Sequence, residues 1–354
     1  MVQLEQICKR YGKGSCCVDA LREVSLRVDA GEFVSIIGPS GSGKTTLMNI
    51  LGCLDRPTSG RYFLAGQPVE RLQGREADRK RAREIGFIFQ SFQLIPTMTA
   101  LENVELPLIL QGQDRLSRRK TALQALEQVG LAQRKDHRPA QLSGGQAQRT
   151  ALARIMVSDP KLLLLDEPFS ALDAHLRDKL MIEMRDVLSN FGREVIMVTH
   201  SRDEAYNMSR EIAVMDEGKL LAKNKTKALF ADPGSIPAAI LTGCKNIASA
   251  EKRGEHEVYI PEWGVSLTTA QSVGDNIKAI GIRAHYFNST APTNRFAVEY
   301  IEEMEEPFEW IIEFRPSTAA ADAQGVWWRL SKDKRPQSFP AELGIAPANI
   351  LLLY

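Results

Sequence analysis

The stretch Gly38-Pro39-Ser40-Gly41-Ser42-Gly43-Lys44-Thr45-Thr46 constrains this chain more than any other. It fits G-x-x-x-x-G-K-[ST] without a mismatch and has the flanks that pattern needs. The apolar, β-branched segment Phe33-Val34-Ser35-Ile36-Ile37 before it reads as a buried strand, and Thr46 to Leu51 after it has helix composition. Glycines let the backbone wrap phosphate oxygens so that successive N–H groups point inward at the positive end of a helix. Lys44 is then expected to reach the β- and γ-phosphates, and the Thr45 hydroxyl to ligate Mg²⁺. A chance glycine-rich turn is the bland alternative, and the strand and helix on either side weigh against it.

At 354 residues the chain can bury two domains or three. A formal net charge of +1 and few aromatic residues encode no pull towards nucleic acid. Five cysteines (Cys8, Cys16, Cys17, Cys53, Cys244) lack metal-ligand spacing, and the default is a reducing, cytosolic compartment. Residues 1–10 carry charges and no apolar core, so no signal peptide is expected there. No window approaches the length of apolar sequence that spans a bilayer, so a membrane role must come through a partner.

Residues 2–30 alternate apolar and polar, as half-buried antiparallel strands do, and Asp29-Ala30-Gly31-Glu32 reads as a turn. Tyr11 has a π-face that suits a purine, although an edge-strand tyrosine is the commoner explanation. Residues 70–84 are dense in charge and read as a solvated helix face. Ile85–Phe89 reads as a buried strand ending at Gln90. Met98 to Ala153 turns helical, punctuated by Pro107 and Pro139. Leu142-Ser143-Gly144-Gly145-Gln146 opens another helix and is a second anion site by the same physics as the first. Lys161–Leu165 reads as a fully buried strand with Asp166 and Glu167 at its carboxyl end, where parallel sheets bind ligands. Val195–Val198 reads as another, followed by Thr199-His200. A lone histidine is more often structural, but one straight after a sheet strand in such a chain is a better catalytic candidate.

Taken together, Gly38–Thr45, Gln90, Leu142–Gln146, Leu165-Asp166-Glu167, Ser170-Ala171-Leu172-Asp173 and His200 resemble the nucleotide-binding subunit of ATP-binding cassette (ABC) transporters over residues 2–225. The resemblance implies an α/β phosphate-loop cassette with a RecA-like core plus antiparallel β and helical subdomains. Its implied bounds are residues 1–230, with the helical subdomain at about 91–158. It implies ATP and Mg²⁺ as ligands, with Tyr11 stacked on adenine and the Gly38–Thr46 loop on the phosphates. Thr45, Gln90 and Asp166 would hold Mg²⁺, and Glu167 would be the general base. His200 would hold the attacking water, and Lys44 and Gln90 would complete the catalytic set. Ser143, Gly144, Gly145 and Gln146 would reach the ATP bound to a second copy packed head to tail, with Asp173 carrying contacts across that dimer.

The choice of transporter is divided. Leu47–Gly60 and Gln93–Val104 look like the lipoprotein-release and macrolide-export branch, whereas Phe169–Arg177 and Leu241–Asn246 are similar to molybdate, tungstate and sulfate importers. Asp232-Pro233-Gly234 and Pro237 mark a linker over 231–245. Residues 246–354 read as short strands spaced as in a small β-barrel regulatory (TOBE-like) domain. There Gly281-Ile282-Arg283-Ala284-His285 places Arg283 to meet an anion or to serve as a structural arginine, and Trp327-Trp328 as core and rim packing. The expectation is therefore the ATPase of an oxyanion importer, with a lipoprotein-release or macrolide-type exporter as the alternative. A recombinant joined near Leu142–Ala153 and a non-transport ABC ATPase are further readings. Implied partners are a second copy, a transmembrane permease at the cytoplasmic face and an extracytoplasmic solute-binding protein, with no nucleic acid.

Overall fold

The computed structural model describes residues 1–12, 16–89, 93–170, 172, 174–189 and 191–354. Gln90, Ala171 and Asp173 lie outside the described residues. The backbone divides into two compact units, Met1–Thr226 and Lys227–Tyr354.

In the first unit the elements run β1 (Val2–Tyr11), β2 (Val18–Val28), β3 (Phe33–Ile37), α1 (Lys44–Leu51), β4 (Ser59–Leu64), β5 (Gln67–Pro68), α2 (Arg75–Glu84) and β6 (Ile85–Ile88). Three helices follow, α3 (Ala100–Leu110), α4 (Arg115–Gln128) and α5 (Gly144–Ser158). The unit closes with β7 (Leu162–Asp166), α6 (Ala174–Ser189), β8 (Glu194–Val198), α7 (Arg202–Met208), β9 (Glu211–Asp216) and β10 (Lys219–Lys225).

Two sheets result. One is antiparallel, in the order β2-β1-β4-β5, and accounts for the alternating residues at the start of the chain. The other runs β10-β9-β3-β8-β7-β6, with β9, β3, β8, β7 and β6 parallel and β10 antiparallel at the edge. Its central strands are covered on both faces, which is why they are continuous apolar runs. Leu162, Leu164, Ile196 and Val198 pack into the core beneath the antiparallel sheet. Their neighbours Leu163, Leu165, Val195 and Met197 point the other way, into the helical core.

The helical insertion lies between β6 and β7. Pro107 does not punctuate it but sits inside α3, and the helix carries on to Leu110. Thr99 and Glu102 form a reciprocal cap at the start of α3, and the Asp114 carboxylate caps α4. Buried Asn103 donates to the carbonyls of Ile95, Met98 and Thr99 and accepts from the Ile95 N–H, which ties the segment before α3 to the helix.

The second unit departs from expectation. Helix α8 (Thr226–Ala231) leads into the stretch read as a linker, which itself holds α9 (Ile236–Leu241), with Pro237 in the first turn of α9, where its missing N–H costs nothing. The strands are β11 (Asn246–Ser249), β12 (Glu251–Gly254), β13 (Glu257–Ile260), β14 (Val265–Thr268), β15 (Ala279–Ile282), β16 (Phe296–Glu305), β17 (Glu309–Pro316), β18 (Val326–Ser331), β19 (Glu342–Leu343) and β20 (Ile350–Leu353). They pair as three open sheets, β11-β15-β20, β12-β13-β14 and β18-β17-β16-β19, and no closed barrel is formed among the described residues. One core, including Trp263, Phe287, Phe314 and Trp328, holds these strands together. The Trp328 indole donates to the Phe287 carbonyl at 2.9 Å, while Trp327 lies at the rim with Lys245 over its ring. The Arg283 guanidinium donates to the carbonyls of Thr242 (2.6 Å) and Phe230 (2.5 Å), so the structural alternative for that residue holds.

Candidate functional site

Parallel pairing brings three strand ends into register. Ile36 lies opposite Val198 and Asp166 opposite Val198 from the other side, while the Glu167 N–H donates to the Val198 carbonyl at 2.9 Å. The residues just after β3, β7 and β8 therefore emerge together at the carboxyl edge of the sheet. They open into a cleft of about 800 Å³ lined by Ser40, Gly41, Gly43, Lys44, Thr45 and Thr46 of the loop, by Glu167, and by His200.

The loop is shaped for an anion. Gly43 has φ 97°, and a Cβ there would lie 2.5 Å from the Ala20 carbonyl oxygen, so only glycine lets the loop close against β2. Helix α1 begins without a side-chain cap and without an acidic residue in its first turn, leaving its first N–H groups for a ligand. Lys44, 8% exposed, donates from Nζ to the carbonyls of Gly38 (2.8 Å) and Pro39 (2.7 Å). Burial lowers its pKa, and the charges of Glu167 and Asp166 work against that shift. Thr45 is exposed at the cleft, and Asp166 is half-buried at the end of β7. Burial, then the neighbouring Glu167, raises the Asp166 pKa, and Lys44 opposes them. An electropositive loop facing two carboxylates suits a phosphate chain carried with a hard cation. A phosphate chain therefore fits these residues. Thr45 and Asp166 are the described oxygen donors for such a cation.

Glu167 has φ 45°, a left-handed conformation that non-glycine residues adopt only where the surroundings impose it. Its carbonyl accepts from the N–H and hydroxyl of Ser170, which fixes the turn. Its carboxylate lies 3.2 Å from Nδ1 of exposed His200. The His200 turn is itself anchored: Thr199 donates from its hydroxyl to buried Glu204 at 2.5 Å and accepts from the Ser201 N–H at 3.0 Å.

Other expected residues lie elsewhere. Tyr11 is not part of the cleft lining; its hydroxyl donates to Asp55 at 2.6 Å, and Lys9 sits over its ring. The wall on that side is built by Val18, Asp19, Ala20 and Arg22, which the alternation of β2 marks as strand but not as site. Glu217 and Gly218, in the turn after β9, also line the cleft; their turn chemistry was the available signal. Ser143 caps α5, accepting from the Gln146 N–H, and the Gln146 side chain returns the bond to the Ser143 N–H. Ser143 and Gly144 are exposed, Gly145 packs against Leu176 and Leu180, and none of the four lines this chain's own cleft. Gln148, one turn into α5, donates to the Pro168 carbonyl beside Glu167, linking that helix to the catalytic-side turn.

A profile of the ABC transporter family matches residues 21–170. The chain is 46% identical, over 262 residues, to the macrolide export ATP-binding/permease protein MacB of Brucella melitensis, an alignment covering 74% of this chain and 39% of that one. It therefore spans about two fifths of the length of that relative. It is also 46% identical over 216 residues to the uncharacterized ABC transporter ATP-binding protein YknY of Bacillus subtilis, covering 61% of this chain and 94% of YknY. Among solved structures, the ATP-binding cassette MJ0796 in a dimeric post-hydrolysis state, bound to ADP and Pi, superposes with a TM-score of 0.58 at 41% identity. That match covers 64% of this chain and 99% of MJ0796. The fold and cleft define a phosphate-loop ATPase cassette. The chain belongs to the ATP-binding subunits of ABC transporters, and its enzymatic activity is ATP hydrolysis.

Proposed function

We propose that this chain powers an exporter-type ABC transporter by hydrolysing ATP between two copies of itself. The identity to MacB and YknY carries the choice of branch. The same relatives remove the support for an oxyanion importer, as does Arg283, whose guanidinium is taken up by backbone carbonyls. The second unit is accordingly not offered as a TOBE-type sensor, and no solute-binding protein is required.

In this reading the phosphates lie along the Gly38–Thr46 loop, with Lys44 turning from the Gly38 and Pro39 carbonyls to the β- and γ-phosphate oxygens. Thr45 and Asp166, with Gln90, hold Mg²⁺, whose contribution is to offset charge on the phosphate oxygens. Glu167 accepts the proton of the attacking water as the new O–P bond forms and the bond to the leaving ADP oxygen breaks. His200 holds Glu167 and the water in line. Ser143, Gly144, Gly145 and Gln146 serve the partner copy's ATP, which fits the exposure of Ser143 and Gly144 away from this chain's own cleft. The groove between α2, β6, α3 and α5 receives a short segment of the permease, at the cytoplasmic face of the membrane. No helix among the described residues is long and apolar enough to cross a membrane.

Tagged Glu167→Gln protein, co-expressed with the products of neighbouring genes and purified in ATP, tests the branch. A co-purifying permease with a large extracytoplasmic domain is expected. A small permease whose locus also encodes a solute-binding protein would restore the importer.

A further inference from the structure

We propose that the corner joining α3 to α4 is a contact surface for anionic lipid headgroups. At this corner Ile109 is 45% exposed and Leu116 82%, with Leu110 at the edge of the neighbouring groove, while most other aliphatic side chains among the described residues pack into cores. The first two turns of α4 add the exposed cations Arg115, Arg119 and Lys120, while Arg118 is half-buried with its Nε turned inward. Further along the same insertion Lys135 pairs with Asp136 and Arg149 faces Glu183, yet none of these three exposed cations is in an ion pair among the described residues.

Two carboxylates lie near these cations and offset part of their charge, Glu102 through its interaction with Arg119, but both are held in helix caps. Asp114 accepts from the N–H groups of Leu116 and Ser117 as the cap of α4, and Glu102 is held in the cap of α3. The whole chain is nearly neutral at +1, so this local excess is not a reflection of composition. Opposite α4's buried stripe of Ala122, Ala125 and Leu126, Leu116 and Lys120 share a face one turn apart. An aliphatic residue flanked by cations is the arrangement that seats on a headgroup layer, the apolar group entering it and the charges meeting phosphates. The inference does not rest on the export reading, and the phosphate cleft takes no part in it.

Co-sedimentation of the full chain with vesicles tests it. Vesicles of equal phosphatidylglycerol and phosphatidylcholine are expected to bind the chain in a salt-sensitive manner, and pure phosphatidylcholine is not. The Arg115→Ala/Arg119→Ala/Lys120→Ala variant is expected to lower the partition coefficient about a hundredfold, near fivefold per cation. Leu116→Asp should lower it as well, and both variants should keep wild-type ATPase, which excludes misfolding. A matched variant on the other basic helix, Arg75→Ala/Arg79→Ala/Arg83→Ala, should bind vesicles normally. Equal loss in that control, or no binding to anionic vesicles, overturns the proposal. So does a corner variant that keeps vesicle binding but loses the co-purifying permease, since the surface would then dock protein.

Discussion

Glu167 and Lys44 face the same cleft but answer to different physics, and a paired substitution separates them. Lys44 is charged in both folded and unfolded chains at neutral pH. Its folded pKa lies below 10.5 because burial disfavours the cation, so the stability linked to its titration is present above that value and is lost as pH falls through the folded pKa. At neutral pH its desolvation is a standing cost. Lys44→Ala is therefore expected to leave Tm unchanged or raised, while ATP affinity falls about 10- to 100-fold, the usual worth of a hydrogen bond to a charged group. Glu167→Gln keeps the strained turn, whose bonds are to the backbone, and removes only the proton acceptor. It should retain ATP affinity and lose about 100-fold or more in kcat. Equilibrium binding and single-turnover hydrolysis on both variants check this, and wild-type turnover in Glu167→Gln would remove its role. Lys44 was legible from the glycine-loop pattern, and Glu167 and His200 because each stands just after a buried strand run. The partnership of Tyr11 with Asp55 was not, since it joins residues 44 positions apart.

Elements were legible where period and burial agree. The leucine run of β7 and the loop flanks show as strands because a sheet covered on both faces leaves no polar position. In the second unit Glu257–Ile260 is readable by its alternation, exposed and buried residues in turn, but Asn246–Ser249 does not alternate in polarity, and the four apolar residues of Ile350–Leu353 do not by themselves separate strand from helix. Closure of a barrel was not legible at all. It depends on which edges pair, and β19 meets β16 only at Phe296 and Ala297. A sharper element-scale constraint is the seat of α1 on the parallel sheet. Gly52 caps α1 at φ −78°, so its lack of a side chain serves space and not conformation. A Cβ there would run into the ring of Phe87 on β6, which is stacked on Phe89 with centroids 4.8 Å apart. Gly52→Ala is expected to cost about 1–3 kcal/mol, as overpacking does. Phe87→Leu should recover much of that loss in the double variant, measured by urea unfolding. Additive losses would mean that the ring is not the obstacle.

At the scale of the whole molecule, the proposed site is divided between residues that do not meet within one chain. The phosphate loop, Glu167 and His200 line one cleft, with Asp166 next to Glu167 at the end of β7, whereas Ser143 and Gly144 stand exposed at the start of α5 and away from that cleft. The proposed head-to-tail dimer would join the loop of one copy to the Ser143 end of the other, and that arrangement is testable without a permease. Lys44→Ala and Ser143→Ala each disable both sites of a symmetric dimer. Mixed, they form a heterodimer in which one site carries both lesions and the other carries neither. If the two halves act in trans, the mixture of inactive parents regains ATPase, up to about one quarter of wild type, since half the dimers are mixed and each has one intact site. If each chain works on its own ATP with its own Ser143, every chain in the mixture is still defective and no activity returns. The lost cap at Ser143, worth about 1 kcal/mol, must be shown not to unfold α5. A Ser143→Asp control, which keeps an N-cap acceptor but puts a carboxylate where the phosphate should lie, should be stable and equally inactive alone. It should be rescued by Lys44→Ala in the same way. Exchange of subunits without return of activity would sink the dimeric site.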